Sequence, residues 1–166
     1  MPPKTVTVDH GSAHKGRGAT LNPEGRFENA SREAFDDGWN EPPEDEPGRP
    51  KTIVTAEQVK SIISRNDSPD IPFTLSINPY RGCEHGCIYC YARPSHAYLN
   101  LSPGLDFETR LFAKANAAQR LLEELARPGY TCSTITIGAN TDPYQPAERE
   151  WKVTRAEHKR HRRFPH

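Results

Sequence analysis

Apolar residues are sparse over the first fifty positions and recur in short periodic runs after them. Thr55 to Arg65 (TAEQVKSIISR) sets Val59, Ile62 and Ile63 on one helical face, and Thr55 with Gln58 has capping-box spacing. That pattern predicts a helix over 55–65. Phe73 to Asn78 alternates Phe73, Leu75 and Ile77 with polar neighbours, which predicts a strand over 73–78. A helical or turn segment is expected near Ser95–Leu101. Between Phe107 and Arg127 the period changes. Thr109, Leu111, Ala113 and Ala115 alternate with Arg110, Phe112 and Lys114, predicting a strand over 109–115. Asn116 with Gln119 then opens a helix over 117–127, which Pro128-Gly129 stops. Ser133 to Gly138 (STITIG) is β-branched and predicts a strand over 133–138. Strands alternating with helices imply an α/β unit with parallel strands.

Composition divides the chain into three parts. The 166 residues have room for one domain. Their hydrophobic fraction is 34% and 16 are proline, against a usual proline share of about 5%, so the whole length is not expected to fold. Residues 1–50 hold 6 basic and 10 acidic side chains with 7 Pro and 6 Gly. Such a segment cannot bury enough surface to offset its ordering entropy, and it is expected to be a largely disordered or extended arm. Phe27, Phe35 and Trp39 are its candidate anchors. Residues 51–155 carry the periodic runs and form the expected domain. The last eleven, AEHKRHRRFPH, break the pattern soon after an apparent helix start (WKVTR), and 156–166 is expected to be a basic tail foreign to the fold. The formal charge is zero, which gives no global electrostatic case for nucleic acid or a membrane surface. No run approaches the roughly 18 apolar residues of a membrane span, and the first residues lack a signal peptide's apolar core. A cytoplasmic protein is expected.

Three of the four cysteines fall within eight residues, in NPYRGCEHGCIYCYA: Cys83, Cys87 and Cys90. In a cytoplasmic chain this clustering points to metal or redox chemistry more than to a disulfide framework. Spacings of three and two let one loop wrap a single inorganic centre, and thiolates suit zinc or an iron–sulfur cluster. A closed zinc site or an ordinary cubane needs four ligands. The fourth is open among Cys132, His85 and His96, or absent. Cys132 precedes its strand whereas the loop follows one, which places the two at opposite sheet ends, so Cys132 is expected to be a buried small apolar residue.

Cys83-x-x-x-Cys87-x-Tyr89-Cys90 resembles the signature of the radical S-adenosylmethionine (radical SAM) enzymes. The wider strings NPYRGCEHGCIYCYARPSHAY and GANTDPYQPAERE are similar to the bacterial branch related to spore photoproduct lyase. The likeness is close over Pro72–Trp151 and looser over Lys15–Arg155. It implies that Cys83, Cys87 and Cys90 hold three irons of a [4Fe-4S] cluster, with the fourth iron left to the amino and carboxylate groups of S-adenosyl-L-methionine. The reduced cluster would cleave the sulfonium to a 5′-deoxyadenosyl radical, which abstracts a hydrogen atom from substrate. The resemblance further implies that Tyr89 lies near the adenine and that Gly138, Asn140 and Asp142 meet the methionyl amino group. Arg81 and His85 flank the cluster. An electron donor such as flavodoxin or ferredoxin is the implied partner. The substrate is not specified; a lyase acting on a nucleic-acid photoproduct is the nearest named activity.

A full eight-unit barrel takes about 250 residues. Phe73–His166 has room for about three βα units, so an incomplete (β/α) barrel sector is expected, an N-terminal fragment that binds S-adenosylmethionine weakly. Two other functions compete with this one: a non-enzymatic module holding zinc or an iron–sulfur centre, and an inactive truncated product.

Overall fold

No helix forms over 55–65. The computed structural model describes residues 17–23 and 50–161, and in it Ile53–Glu57 is a strand, β1, and Ile63–Arg65 a second, β2. Ile53, Val54 and Thr55 are β-branched, which suits a ladder better than a helix. The turn between the two strands takes its partners from distant side chains. Asn116 Oδ1 accepts the Val59 N–H at 2.9 Å, and Asn116 Nδ2 donates to the Val59 carbonyl at 2.8 Å. The buried Glu124 carboxylate accepts the N–H groups of Ile62 and Ile63 at 2.7 and 3.2 Å. These tertiary bonds satisfy backbone groups that a helix would have satisfied internally.

The remaining strands are β3 (Leu75–Ile77), β4 (Tyr80–Arg81), β5 (Arg110–Lys114) and β6 (Ile135–Ile137). A 3₁₀ helix covers Arg93–Leu99, and the α-helices are α1 (Leu105–Thr109), α2 (Ala117–Leu125), α3 (Glu148–Trp151) and α4 (Val153–His161). The fold is mixed α/β. Its described strands lie in two three-stranded sheets, ordered β1-β5-β4 and β2-β3-β6, and no closed barrel forms among them. Parallel pairing occurs once in each sheet: β1 with β5, from Ile53↔Arg110 to Glu57↔Lys114, and β3 with β6, from Leu75↔Ile135 to Ile77↔Ile137. The other pairs, β2 with β3 and β4 with β5, are antiparallel.

Strand β3 is buried on both faces, Ser76 included, although its alternation predicts one polar face. The main core gathers Ile77, Tyr80, Leu111, Ala113, Leu121 and Val153, with Trp151 packed against it. Helix α2 begins where expected but without the expected capping box. Asn116 makes no side-chain cap because its amide is committed to Val59.

Helix α4 continues past Arg155 to His161 and packs on α2, so the helix does not end where 156–166 begins; residues 162–166 lie outside the described residues. The Glu148 carboxylate receives the N–H groups of Thr154 and Arg155 at 3.1 and 2.9 Å, satisfying donors that the first turn of α4 leaves open. Of the expected N-terminal arm, Phe27, Phe35 and Trp39 lie outside the described residues. Residues 17–23 are not a solvated tail: the Leu21 carbonyl accepts the Leu105 N–H at 3.2 Å, and Asn22 Oδ1 accepts that of Asp106 at 3.0 Å. Among the described residues no helix is long and apolar enough to cross a membrane.

Candidate functional site

The short ladder β4 delivers the chain into the cysteine loop. The Cys83 N–H donates to the Phe107 carbonyl at 2.9 Å, which ties the loop to α1. Gly86 has φ +64°, a left-handed turn that a side chain would strain, and it reverses the chain between the first two cysteines. The Cys90 N–H then closes on the Cys87 carbonyl at 3.2 Å. Cys83 is buried and shares a small apolar cluster with Ala92, Phe107 and the half-buried Cys90, while Cys87 is exposed.

Burial pushes the Cys83 thiol up, whereas backbone N–H groups of His85 and Asp142 directed at its sulfur favour the thiolate. The negative charge of Asp142 and the neighbouring Cys90 act with burial. Among the described residues no three His, Cys, Asp or Glu side chains come together closely enough to hold a metal ion. The donor chemistry nonetheless fits a thiophilic centre: three thiols on one loop.

The segment after β6 lies against this loop. The Gly138 N–H extends the β3–β6 ladder to the Ile77 carbonyl at 2.8 Å, and that of Asn140 donates to Asn78 Oδ1 at 2.7 Å. Thr141 Oγ1 donates to the Tyr80 carbonyl at 3.1 Å, and the Tyr91 hydroxyl donates to the Ala139 carbonyl. His85 Nε2 stands 3.2 Å from Asp142 Oδ2. Gly138 and the exposed Asn140 and Asp142 are thus brought beside the cysteine loop.

The sequence offers no signal for Gln145, which is fully buried and joins both segments. Its Oε1 accepts the Glu84 N–H at 3.1 Å and its Nε2 donates to the Gly82 carbonyl at 3.2 Å.

Other candidates are placed elsewhere. Tyr89 is 86% exposed, with Ile88 and Tyr91 beside it also exposed, so the ring does not pack the loop. Arg81 turns to β1 and pairs with Glu57 at 3.0 Å. His96 is fully buried, its Nε2 2.9 Å from the Arg110 carbonyl, and burial lowers its pKa toward the neutral ring. Cys132 is exposed, contrary to the expected buried position. Strand β6 starts only at Ile135, so 131–134 run outside the ladder. No disulfide joins any of the four cysteines.

Three mycobacterial proteins resemble the chain. One is an uncharacterized protein of Mycobacterium bovis and two are uncharacterized proteins from strains of Mycobacterium tuberculosis. Each is 51% identical over 98 residues, 57% of this chain and 29% of the relative. The chain therefore spans less than a third of the length of these curated relatives. No family model matches. No solved structure matches either.

Proposed function

We propose that the 83–90 loop holds a [4Fe-4S] cluster through Cys83, Cys87 and Cys90, and that the chain is the cluster-bearing part of a radical SAM protein. The observation that carries this reading is the junction of two segments far apart in sequence: the three-thiol loop and the 138–142 turn, bonded together at the end of the parallel pair β3/β6. Loop ends beyond parallel strands are where such folds build ligand sites. Held by these three cysteines, the cluster would supply one-electron reduction of a bound S-adenosyl-L-methionine.

The protein's own residues then bind and orient. Cys83 and Cys90 stand close together already, and the exposed Cys87 would have to turn inward to complete the set. Asn140 and Asp142 offer oxygen acceptors for the methionyl ammonium, and Gly138 lets the backbone approach. Tyr89 presents an open ring face to an adenine. The exposed surface around Ile88 and Tyr91 admits an electron donor such as flavodoxin or ferredoxin. The substrate belongs to the whole protein, with a lyase acting on nucleic acid as the leading class.

Anaerobic reconstitution with iron and sulfide tests the reading. About four irons and four sulfides per chain are expected, with a charge-transfer absorption that is lost in each of Cys83→Ala, Cys87→Ala and Cys90→Ala. Full iron content in any of those three variants would overturn it, as would a chain that takes up zinc alone. Release of 5′-deoxyadenosine after dithionite reduction tests the second half.

A further inference from the structure

Glu108, in the short helix α1, is fully buried, yet it is held by groups from two distant parts of the chain, residues 17–19 and Arg93. Its carboxylate accepts the N–H groups of Gly18 and Ala19 at 3.0 and 2.9 Å, and it is ion-paired with Arg93. Its own carbonyl accepts from Arg17 at 2.8 Å. Arg93, mostly buried over the Phe107 ring, donates to the Cys87 carbonyl through Nε at 3.2 Å and Nη2 at 3.0 Å. Its Nη1 reaches the Gly104 carbonyl at 3.2 Å. Gly18 lies directly on Gly86: a Cβ on Gly18 would stand 1.8 Å from the Gly86 carbonyl oxygen. One ion pair therefore grips the carbonyl of Cys87 and, from its other side, a segment ninety residues away in sequence.

We infer that Arg93, fixed by Glu108, is the positioning residue for Cys87, and that residues 17–23 are the latch that keeps this pair closed over the loop. A buried carboxylate is tolerated only when its lone pairs are filled, and the two N–H groups of the latch help to fill them. The guanidinium contributes a planar fork whose donors serve Cys87, Gly104 and Glu108 together, which a lysine ammonium does not reproduce. Cys83 is tied down separately, by burial and by the Phe107 carbonyl, so the device acts on the exposed thiol. The part of the inference concerning cluster ligation rests on the function proposed above; the latch stands without it.

The experiment compares the wild-type 166-residue chain with Arg93→Lys and Glu108→Gln. Hydrogen exchange on the metal-free proteins reads the latch. Peptides covering 17–23 and 84–91 should each lose at least tenfold in protection in both variants, while those covering β3, β5 and α2 keep theirs. Unchanged exchange in both peptides would overturn the inference. If either variant loses protection along its whole length, Ala19→Pro, which removes one N–H donor from the carboxylate, decides between a latch and general destabilisation: loss confined to 17–23 and 84–91 supports the latch, and no loss there refutes it. The reconstituted proteins supply the second readout. Arg93→Lys should surrender iron to a chelator at least tenfold faster and show an altered electron-paramagnetic-resonance spectrum of the reduced cluster. A spectrum and release rate equal to wild type would overturn the positioning role. A wild type that takes up no cluster would sink the proposed function while leaving the exchange result to decide the latch.

Discussion

Glu157 on α4 gives the sharpest quantitative prediction. It is fully buried, and among the described residues neither carboxylate oxygen has a hydrogen-bond partner. Burial pushes its carboxyl from 4.5 up to about 8, with Lys114 of β5 pulling down and Glu148 of α3 adding to the rise. Lys114 is itself held down, by burial and then by Arg81, with Glu57 and Glu157 opposing. The Tyr80 hydroxyl faces the same cluster and donates to Glu148. An unfolded chain loses the Glu157 proton near the ordinary glutamate value, while the folded chain keeps it to about 8. Between those values the native state carries the extra proton, so stability falls as pH rises through the window. Across three to four pH units, at roughly 1.4 kcal/mol per unit, the ceiling on the loss is about 5 kcal/mol. Glu157→Gln keeps the shape and removes the ionisation. Urea unfolding followed by tryptophan fluorescence from pH 4.5 to 8.5 is the assay. The two proteins should agree within about 1 kcal/mol at the acid end, and the variant should become progressively the more stable, by several kcal/mol near pH 8. Parallel profiles would refute the reasoning and, with it, the packing of α4 that buries this side chain.

Three further outcomes follow from the geometry. Asn116→Ala should cost about 2–3 kcal/mol in the same unfolding assay at pH 6, because it leaves the Val59 N–H and carbonyl without their partners. Gly86→Ala should cost about 1–3 kcal/mol and raise exchange in the cysteine loop, since φ is +64° and its Cβ would lie 2.9 Å from Glu108 Oε2. Cys132→Ala should leave reconstituted iron and sulfide unchanged, because that thiol sits outside the ladder of β6; loss of iron in this variant alone would make Cys132 a ligand.

The elements legible in the sequence are those whose partners are local. The alternation through Leu111 and Ala113 and the change of period at Asn116 come from neighbours a few residues apart, and β5 and α2 form there. The stretch from Thr55 to Arg65 has an equally good helical face, yet it is pulled into β1, a turn and β2 by groups about sixty residues away, Asn116 and Glu124. Those two residues look like a cap and an ordinary solvated position on α2, and nothing in their own neighbourhood announces a backbone partner. Tertiary hydrogen bonds outweigh a periodicity whose own contribution per residue is a few tenths of a kcal/mol.

The candidate site divides along the same line. Three thiols at close spacing are visible because the spacing is itself the chemistry. Gln145, Arg93 and Glu108 are invisible because, beyond the one ion pair between the last two, what they recognise is backbone: the Glu84 N–H and Gly82 carbonyl for Gln145, the Cys87 and Gly104 carbonyls for Arg93, the Gly18 and Ala19 N–H groups for Glu108. A side chain bound to backbone leaves no complementary residue for a motif to contain. It does leave a physical trace once the fold is drawn, a polar group buried beyond what its charge tolerates alone and filled on every side. Gln145 and Glu108 both carry that trace beside the cysteine loop. A loop of two glycines, three thiols and exposed aromatic rings has little apolar surface with which to hold its shape. Its order must come from such buried polar anchors, and this makes them a better guide to where the chain places chemistry than the exposed residues around it.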